Sequence, residues 1–234
     1  MSDFAFTQIE QRTIEGEING RLRKAILSGQ FSPGAYLNES EISKQMAVSR
    51  IPIREAIKKL EQEGLVVRHP NKGVFVVSFS EQDVREVFSL RSNLESMAFE
   101  WAIPNINEQD LQKLGELIKN QKEAIANDDY SELARLDMRF HEYICIKANH
   151  SRLLKAWYEQ HSQSQILINL RFKHIPEYTP ETVARDHNEI LSAIEVKDIN
   201  KAIELTLKIS KRVSQECIYT IRKLETESSS QGGA

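Results

Sequence analysis

Apolar residues recur every three or four positions through most of this chain, the period of helices that bury one face. Beyond position 80 the rhythm breaks into six segments, 81–103, 108–127, 129–148, 151–173, 182–196 and 198–225. Pro104, Asn107, Asp128-Asp129, Asn149, Pro176 with Pro180, and Lys197-Asp198 punctuate them. Ser80 followed by Asp83 is a helix-start pair. Short connections predict that sequential helices pack antiparallel. Before position 80 the pattern is more varied. Residues 11–28 read as a helix with Ile14, Ile18, Leu22, Ala25 and Ile26 on one stripe, followed by a loop over 29–34. Asn38 with Glu41 starts a second helix over 42–46, Val48 turns the chain, and Ser49 caps a third helix with Pro52 in its first turn. Two β-branched runs, 66–68 and 74–77, flank a turn and read as a hairpin. Helix, helix, turn, helix and a two-stranded wing is the order of a winged helix-turn-helix. The predicted fold is therefore mostly α: a winged helix-turn-helix over 8–78, an antiparallel all-helical bundle over 80–226, and a disordered tail over 227–234.

Composition agrees. Nine glycines and six prolines in 234 residues are few breakers, and 28% charged residues suit a soluble globular chain. No run of 18 apolar residues is present, and Met1 to Glu10 lacks the basic and apolar regions of a signal peptide. Cys145 and Cys217 form no metal or redox spacing and read as core residues, so a reducing, cytoplasmic location is expected. The formal charge of −3 conceals an asymmetry. Residues 1–78 hold 11 basic and 9 acidic side chains, whereas the remainder holds 20 and 25.

The third helix places that basic excess. Ile53, Ala56, Ile57 and Leu60 follow the spacing of a buried face, and Arg50, Arg54 and Lys58 form a second stripe. At 100° per residue the two stripes are centred about 110° apart. A basic stripe beside the buried face suits a helix lying in the major groove, where Arg grips guanine and Lys holds phosphate. The same stripe also fits an ordinary solvated helix face. The wing tip Asn71-Lys72-Gly73 favours the first reading, with a donor-rich side chain and a glycine that lets backbone approach a groove.

Residues 26–76 resemble the DNA-binding domain of GntR-type bacterial transcription factors. The match runs through Gly29, Pro33-Gly34, 37–42 (LNESEI), 48–56 (VSRIPIREA), 60–65 (LEQEGL) and Gly73. The resemblance implies that Arg50 and Arg54 contact operator bases, and that a homodimer reads a near-palindromic double-stranded operator. Ser40 stands where relatives often carry an Arg that contacts DNA. Ser49, Lys58, Asn71, Lys72 and Gly73 complete the candidate DNA-binding set.

The bundle carries ionisable residues on apolar faces: Arg91 and Glu95 among Val84, Val87, Phe88, Leu94 and Ala98; Asp137 and His141 among Leu133, Leu136, Phe140, Ile144 and Ala148; His187 among Val183, Ala184, Ile190, Leu191 and Ile194. Unpaired burial of such groups is costly, so together they predict a polar cavity. Singly, Arg91 and Glu95 also fit an intrahelical pair, Asp137 and His141 a structural couple, and His187 a satisfied core histidine. The motif at 136–141 (LDMRFH), Ala148-Asn149 with Leu153, and Asp186-His187 with Ile190 and Ala193 resemble the FadR C-terminal (FCD) effector domain over about 82–218. Many members bind a divalent metal, zinc- or nickel-like, through an Asp and three His. Asp137, His141 and His187 match three of these positions, and the fourth is Ile209. Arg91 and the two histidines predict a small anionic effector such as an organic carboxylate, with Glu95 in the same pocket and Asn169 and Arg171 as further wall residues that also fit an exposed face. The reading is a ligand-responsive repressor. The alternatives are a metal-dependent hydrolase using Asp137, His141 and His187, and a regulator whose signal is the metal itself.

Overall fold

Several of the predicted helices begin where a side chain takes up free amide groups. In the computed structural model, which describes residues 14–174 and 180–231, the Asn38 side chain accepts from the amides of Ser40 and Glu41 and opens α2 (Glu39–Gln45). Ser49 stands at the N-cap of α3 (Arg50–Gln62), but its side chain makes no capping hydrogen bond. Before them, α1 (Ile14–Leu27) buries Ile18, Leu22 and Ile26. Ile14, expected on that stripe, is exposed, because the α1 stripe meets the domain core only from its second turn. The start of the domain at residue 8 and the first predicted helical residues, 11–13, lie outside the described residues.

Strands β1 (Val66–His69) and β2 (Gly73–Val76) pair antiparallel, Val66 opposite Val76 and His69 opposite Gly73. Tyr36 bridges to Phe75 and closes the wing onto the helices. A side chain at Gly73 would lie 2.5 Å from the Tyr36 ring, and its φ is +106°. The glycine is thus required within the domain by Tyr36, a reason different from the expected backbone approach to a groove.

Among the described residues six α-helices follow: α4 (Glu81–Ala102), α5 (Glu108–Ala126), α6 (Tyr130–Lys147), α7 (Ser151–His174), α8 (Glu181–Glu195) and α9 (Ile199–Gln231). Ser80 and Asp83 form the capping box that starts α4, and Asn107 with Asp110 does the same for α5. Neighbours in sequence pack together at α5–α6, α6–α7 and α8–α9, whereas α4 packs chiefly on α9, α6 and α7. The expectation that every sequential pair packs is therefore corrected. Helix α4 buries Val84, Val87, Phe88, Arg91, Glu95, Ala98 and Phe99, too broad a face for one partner, and it becomes the hub of the bundle. Helix α9 runs to Gln231, past residue 227 where a disordered tail is expected. Both cysteines are buried, as expected.

Candidate functional site

Two regions of the molecule carry chemistry. On α3, Ile53, Ala56, Ile57 and Leu60 are fully buried, and Arg50, Arg54 and Lys58 are exposed beside them. Asn71 and Lys72 are exposed at the wing tip, with Asn71 in the left-handed region at φ 62°. Ser40 is half-buried on the first turn of α2, and Ser49 is exposed. Arg54 Nε donates to Glu39 Oε2 at 2.9 Å, and Arg68 of β1 approaches Glu39 at 3.7 Å. An exposed pair of this kind is worth about 0–1 kcal/mol, so a base edge or phosphate can displace it. Sequence reading missed both Glu39 and Arg68. Glu39 lies 15 residues from Arg54, and only the fold brings them together.

The second region is a chamber between α4, α6, α7 and α9. Arg91, Glu95, Asp137, His141 and Arg171 line it, joined by Phe88, Ile168, Thr206, Ile209, Ser210 and Val213. Its volume is about 30 Å³, room for a water or two. Arg91 Nε donates to Glu95 Oε1 at 2.7 Å, and Arg91 Nη2 to Asp137 Oδ2 at 3.4 Å. Trp157 Nε1 also donates to Glu95 Oε1, at 3.2 Å. Arg171 Nη1 donates to Glu216 Oε2 at 2.9 Å. Burial disfavours the Arg91 charge, but Glu95 and then Asp137 outweigh it and hold the guanidinium pKa above its ordinary value. Burial likewise opposes the Glu95 and Asp137 charges; Arg91, with neighbouring histidines, holds both carboxyls below the usual range. Arg91 thus both pairs with Glu95 and lines the cavity. Its charge is balanced inside the protein by Glu95 and Asp137.

Asp137, His141 and His187 converge, with one donor atom from each lying within 4.8 Å of the others. His187 Nε2 is 3.3 Å from His141 Nε2 and 3.6 Å from Asp137 Oδ1. His187 Nδ1 donates to Gln121 Oε1 at 2.9 Å, while Gln121 Nε2 donates to Leu136 O at 3.3 Å. That chain fixes the amide, and the amide fixes the tautomer, leaving the His187 Nε2 lone pair directed at His141. His141 Nδ1 lies 3.1 Å from Glu95 Oε2 but off the hydrogen-bond direction. Phe140 stacks on the His187 ring at 4.2 Å. Burial lowers the His187 pKa to about 3. The ring is therefore neutral at physiological pH, and its contribution to stability is present above about pH 6.5 and lost as pH falls toward 3. One carboxylate and two imidazoles, with Gln121 Oε1 behind His187 and Glu95 Oε2 near His141, fit a zinc-like ion. Ile209 lines the chamber and offers no donor.

His187 stands behind the lining and touches the chamber through His141. Asn169 does not line it. One residue along α7 from Ile168, Asn169 faces Gly29 of the N-terminal domain instead. Gln121, Trp157 and Thr206 were missed, although Gln121 and Thr206 each interrupt an apolar stripe with a polar residue. Gln121 is 0% exposed and falls in register with Leu114 and Ile118. Gln121→Leu is expected to weaken zinc binding about 10- to 100-fold, as loss of an outer-shell partner does; calorimetric titration of the purified chain checks this.

Comparison with known proteins places the two parts of the chain in known families. Residues 14–76 match the model of the gntR family of bacterial regulatory proteins, and residues 86–210 match the FCD domain. The chain is 34% identical over 182 residues to the uncharacterized HTH-type transcriptional regulator YdhC of Bacillus subtilis, covering 77% of this chain and 80% of that one. It is 31% identical to the gluconate operon transcriptional repressor of the same organism, covering 76% and 74%. The crystal structure of a transcriptional regulator GntR from Rhodococcus superposes with a TM-score of 0.75 at 23% identity, covering 87% of this chain and 97% of that one.

Proposed function

The chain belongs to the gntR family of bacterial regulatory proteins and carries an FCD domain, and from that premise we propose that it is a repressor whose homodimer holds a near-palindromic operator until a small carboxylate enters the chamber. It is a transcriptional regulator and not an enzyme: both domain matches and the relatives' names are those of regulators. The hydrolase alternative therefore falls.

The observation that carries the DNA reading is the basic ridge of Arg50, Arg54 and Lys58, exposed along a helix whose neighbouring face is fully buried. The carboxylate follows from charge. Leaving the histidines aside, the charged side chains that line the chamber, Arg91 and Arg171 against Glu95 and Asp137, balance. A divalent ion held by Asp137, His141 and His187 would tip that balance positive and would supply a Lewis-acidic centre for an anion. One relative is named for the gluconate operon, gluconate being a small carboxylate. At about 30 Å³ the chamber must widen to admit such a molecule. The same small volume favours a second reading, in which the ion itself is the signal. Operator binding compared in chelator, in zinc, and in zinc with carboxylates separates the two.

A second copy is supported by α4. Leu90, Met97 and Trp101 are exposed there, with Leu94 half-buried between them, at the spacing of a helix–helix seam. Trp101 is 52% exposed. Selection from a random duplex pool is expected to return inverted half-sites whose binding weakens steeply with salt. Met97→Glu with Trp101→Glu is expected to yield a monomer by light scattering, and to lose about 100-fold in affinity for the paired site as the second contact becomes independent. Recovery of unpaired sites by a monomeric wild-type chain would refute the dimer.

A further inference from the structure

Helix α7 is one continuous element that touches both the chamber and the DNA-binding domain. Ile168 and Arg171 line the chamber, and Trp157 donates to the Glu95 carboxylate that also pairs with Arg91. Interleaved with them, Asn169 and Lys173 face the turn that ends α1. A side chain at Gly29 would come within 3.4 Å of Asn169 Nδ2 and 3.2 Å of Lys173 Nζ. Gln163 Nε2 lies 3.1 Å from where a side chain at Gly64 would begin, in the turn that ends the recognition helix α3. Both glycines have φ +68°. The contacts thus meet the C-terminal ends of α1 and α3, where helix carbonyls are left over and a cation is favoured. Lys173 Nζ takes such a group, donating to Ser28 O.

Asn169 shows that this seating is not the lowest one available to every group. It is 1% exposed, and neither atom of its amide has a hydrogen-bond partner among the described residues. An unmet buried amide is destabilising, and a shift of α7 against Gly29 that supplies a partner would recover that loss. A junction with two seatings is what a two-state switch requires.

We infer that α7 couples the chamber to the DNA-binding domain, and that Asn169 and Lys173, seated on the Ser28–Gly29 end of α1, form the coupling contact. The inference rests on the chamber being the regulatory site. Movement of Arg171 or Ile168 by a ligand turns or slides α7, and Asn169 and Lys173, less than two turns away, carry the displacement to α1. Helix α1 passes it to the recognition helix, to which it is tied by the Asn19 Nδ2 bond to Ala56 O at 3.2 Å.

Hydrogen exchange on the full chain tests this with two independent perturbations of the chamber. The first is zinc alone. The second is Thr206→Met, which overfills the cavity beside a Thr206 hydroxyl that has no hydrogen-bond partner among the described residues. Either perturbation is expected to change exchange several-fold in residues 24–31 as well as around the chamber. In Asn169→Leu with Lys173→Met, the chamber response should remain and the response at 24–31 should vanish. Lys173→Met alone repeats the measurement if the double variant does not fold. Unchanged exchange at 24–31 under both perturbations, or an undiminished response in the latch variants, would overturn the inference. If zinc protects neither 137–145 nor 187–191, the metal reading fails, and Thr206→Met still decides the coupling.

Discussion

Arg54→Ala is expected to weaken binding to the selected operator about 10- to 100-fold, or about 1–3 kcal/mol, and to relax discrimination at a single base position. Arg54 is exposed on the ridge of α3, and its pair with Glu39 is a surface pair that costs little to exchange for a base edge. Lys58→Ala should act differently. A phosphate contact carries no sequence information, so affinity should fall evenly across operator variants and the salt dependence should become shallower. Fluorescence anisotropy with a panel of single-base variants measures both. Unaltered discrimination by Arg54→Ala would mean that α3 does not lie in the groove as its stripes suggest.

His187→Ala is expected to remove most zinc affinity, by more than the about 10- to 100-fold that loss of an outer-shell partner produces. His187 offers an imidazole whose tautomer is fixed by the buried Gln121 amide, and its Nε2 faces both His141 and Asp137. Ile209→His should act in the opposite direction, adding a donor on the chamber wall opposite an incomplete set. Isothermal titration reads both changes, and circular dichroism confirms that the variants fold. Operator binding in the absence of zinc should be close to wild type for His187→Ala, because the residue lies in the bundle and away from α3. Equal zinc affinity of wild type and His187→Ala would place the ion elsewhere.

The amphipathic period made most of the architecture legible. The stripe Ile53, Ala56, Ile57 and Leu60 is the buried face of α3, and the Ser80–Asp83 pair is a true capping box. Local signals of this kind survive because one helix face and one cap depend on few distant residues. What stayed hidden depended on docking. Both readings of Arg91 and Glu95 hold at once, since the pair is made and also lines the cavity, a result that no single-helix projection contains. Asn169 and Arg171 are equivalent candidates for the chamber wall in the sequence, and only Arg171 lines it. The direction in which α7 meets α1 turns Asn169 the other way. Ile14 has the correct spacing for the core but precedes the part of α1 that the domain covers. Gln121 and Thr206 are neutral polar residues on apolar stripes, and charge-based searching passes over them although the interruption of the stripe is visible in the sequence. The narrowness of the chamber was invisible, because it is set by Phe88, Ile168, Ile209 and Val213 from three helices at once.

The account stands most directly on where α3 goes when the chain meets DNA, and a crystal structure of the full chain on its selected operator shows this in one observation. The account predicts two copies related by a two-fold axis, with each α3 in a major groove. The Arg54 guanidinium should have left Glu39 for a base edge, and Asn71 and Lys72 should lie against the backbone. A complex in which Arg54 stays on Glu39 and the duplex rests on another surface would contradict it.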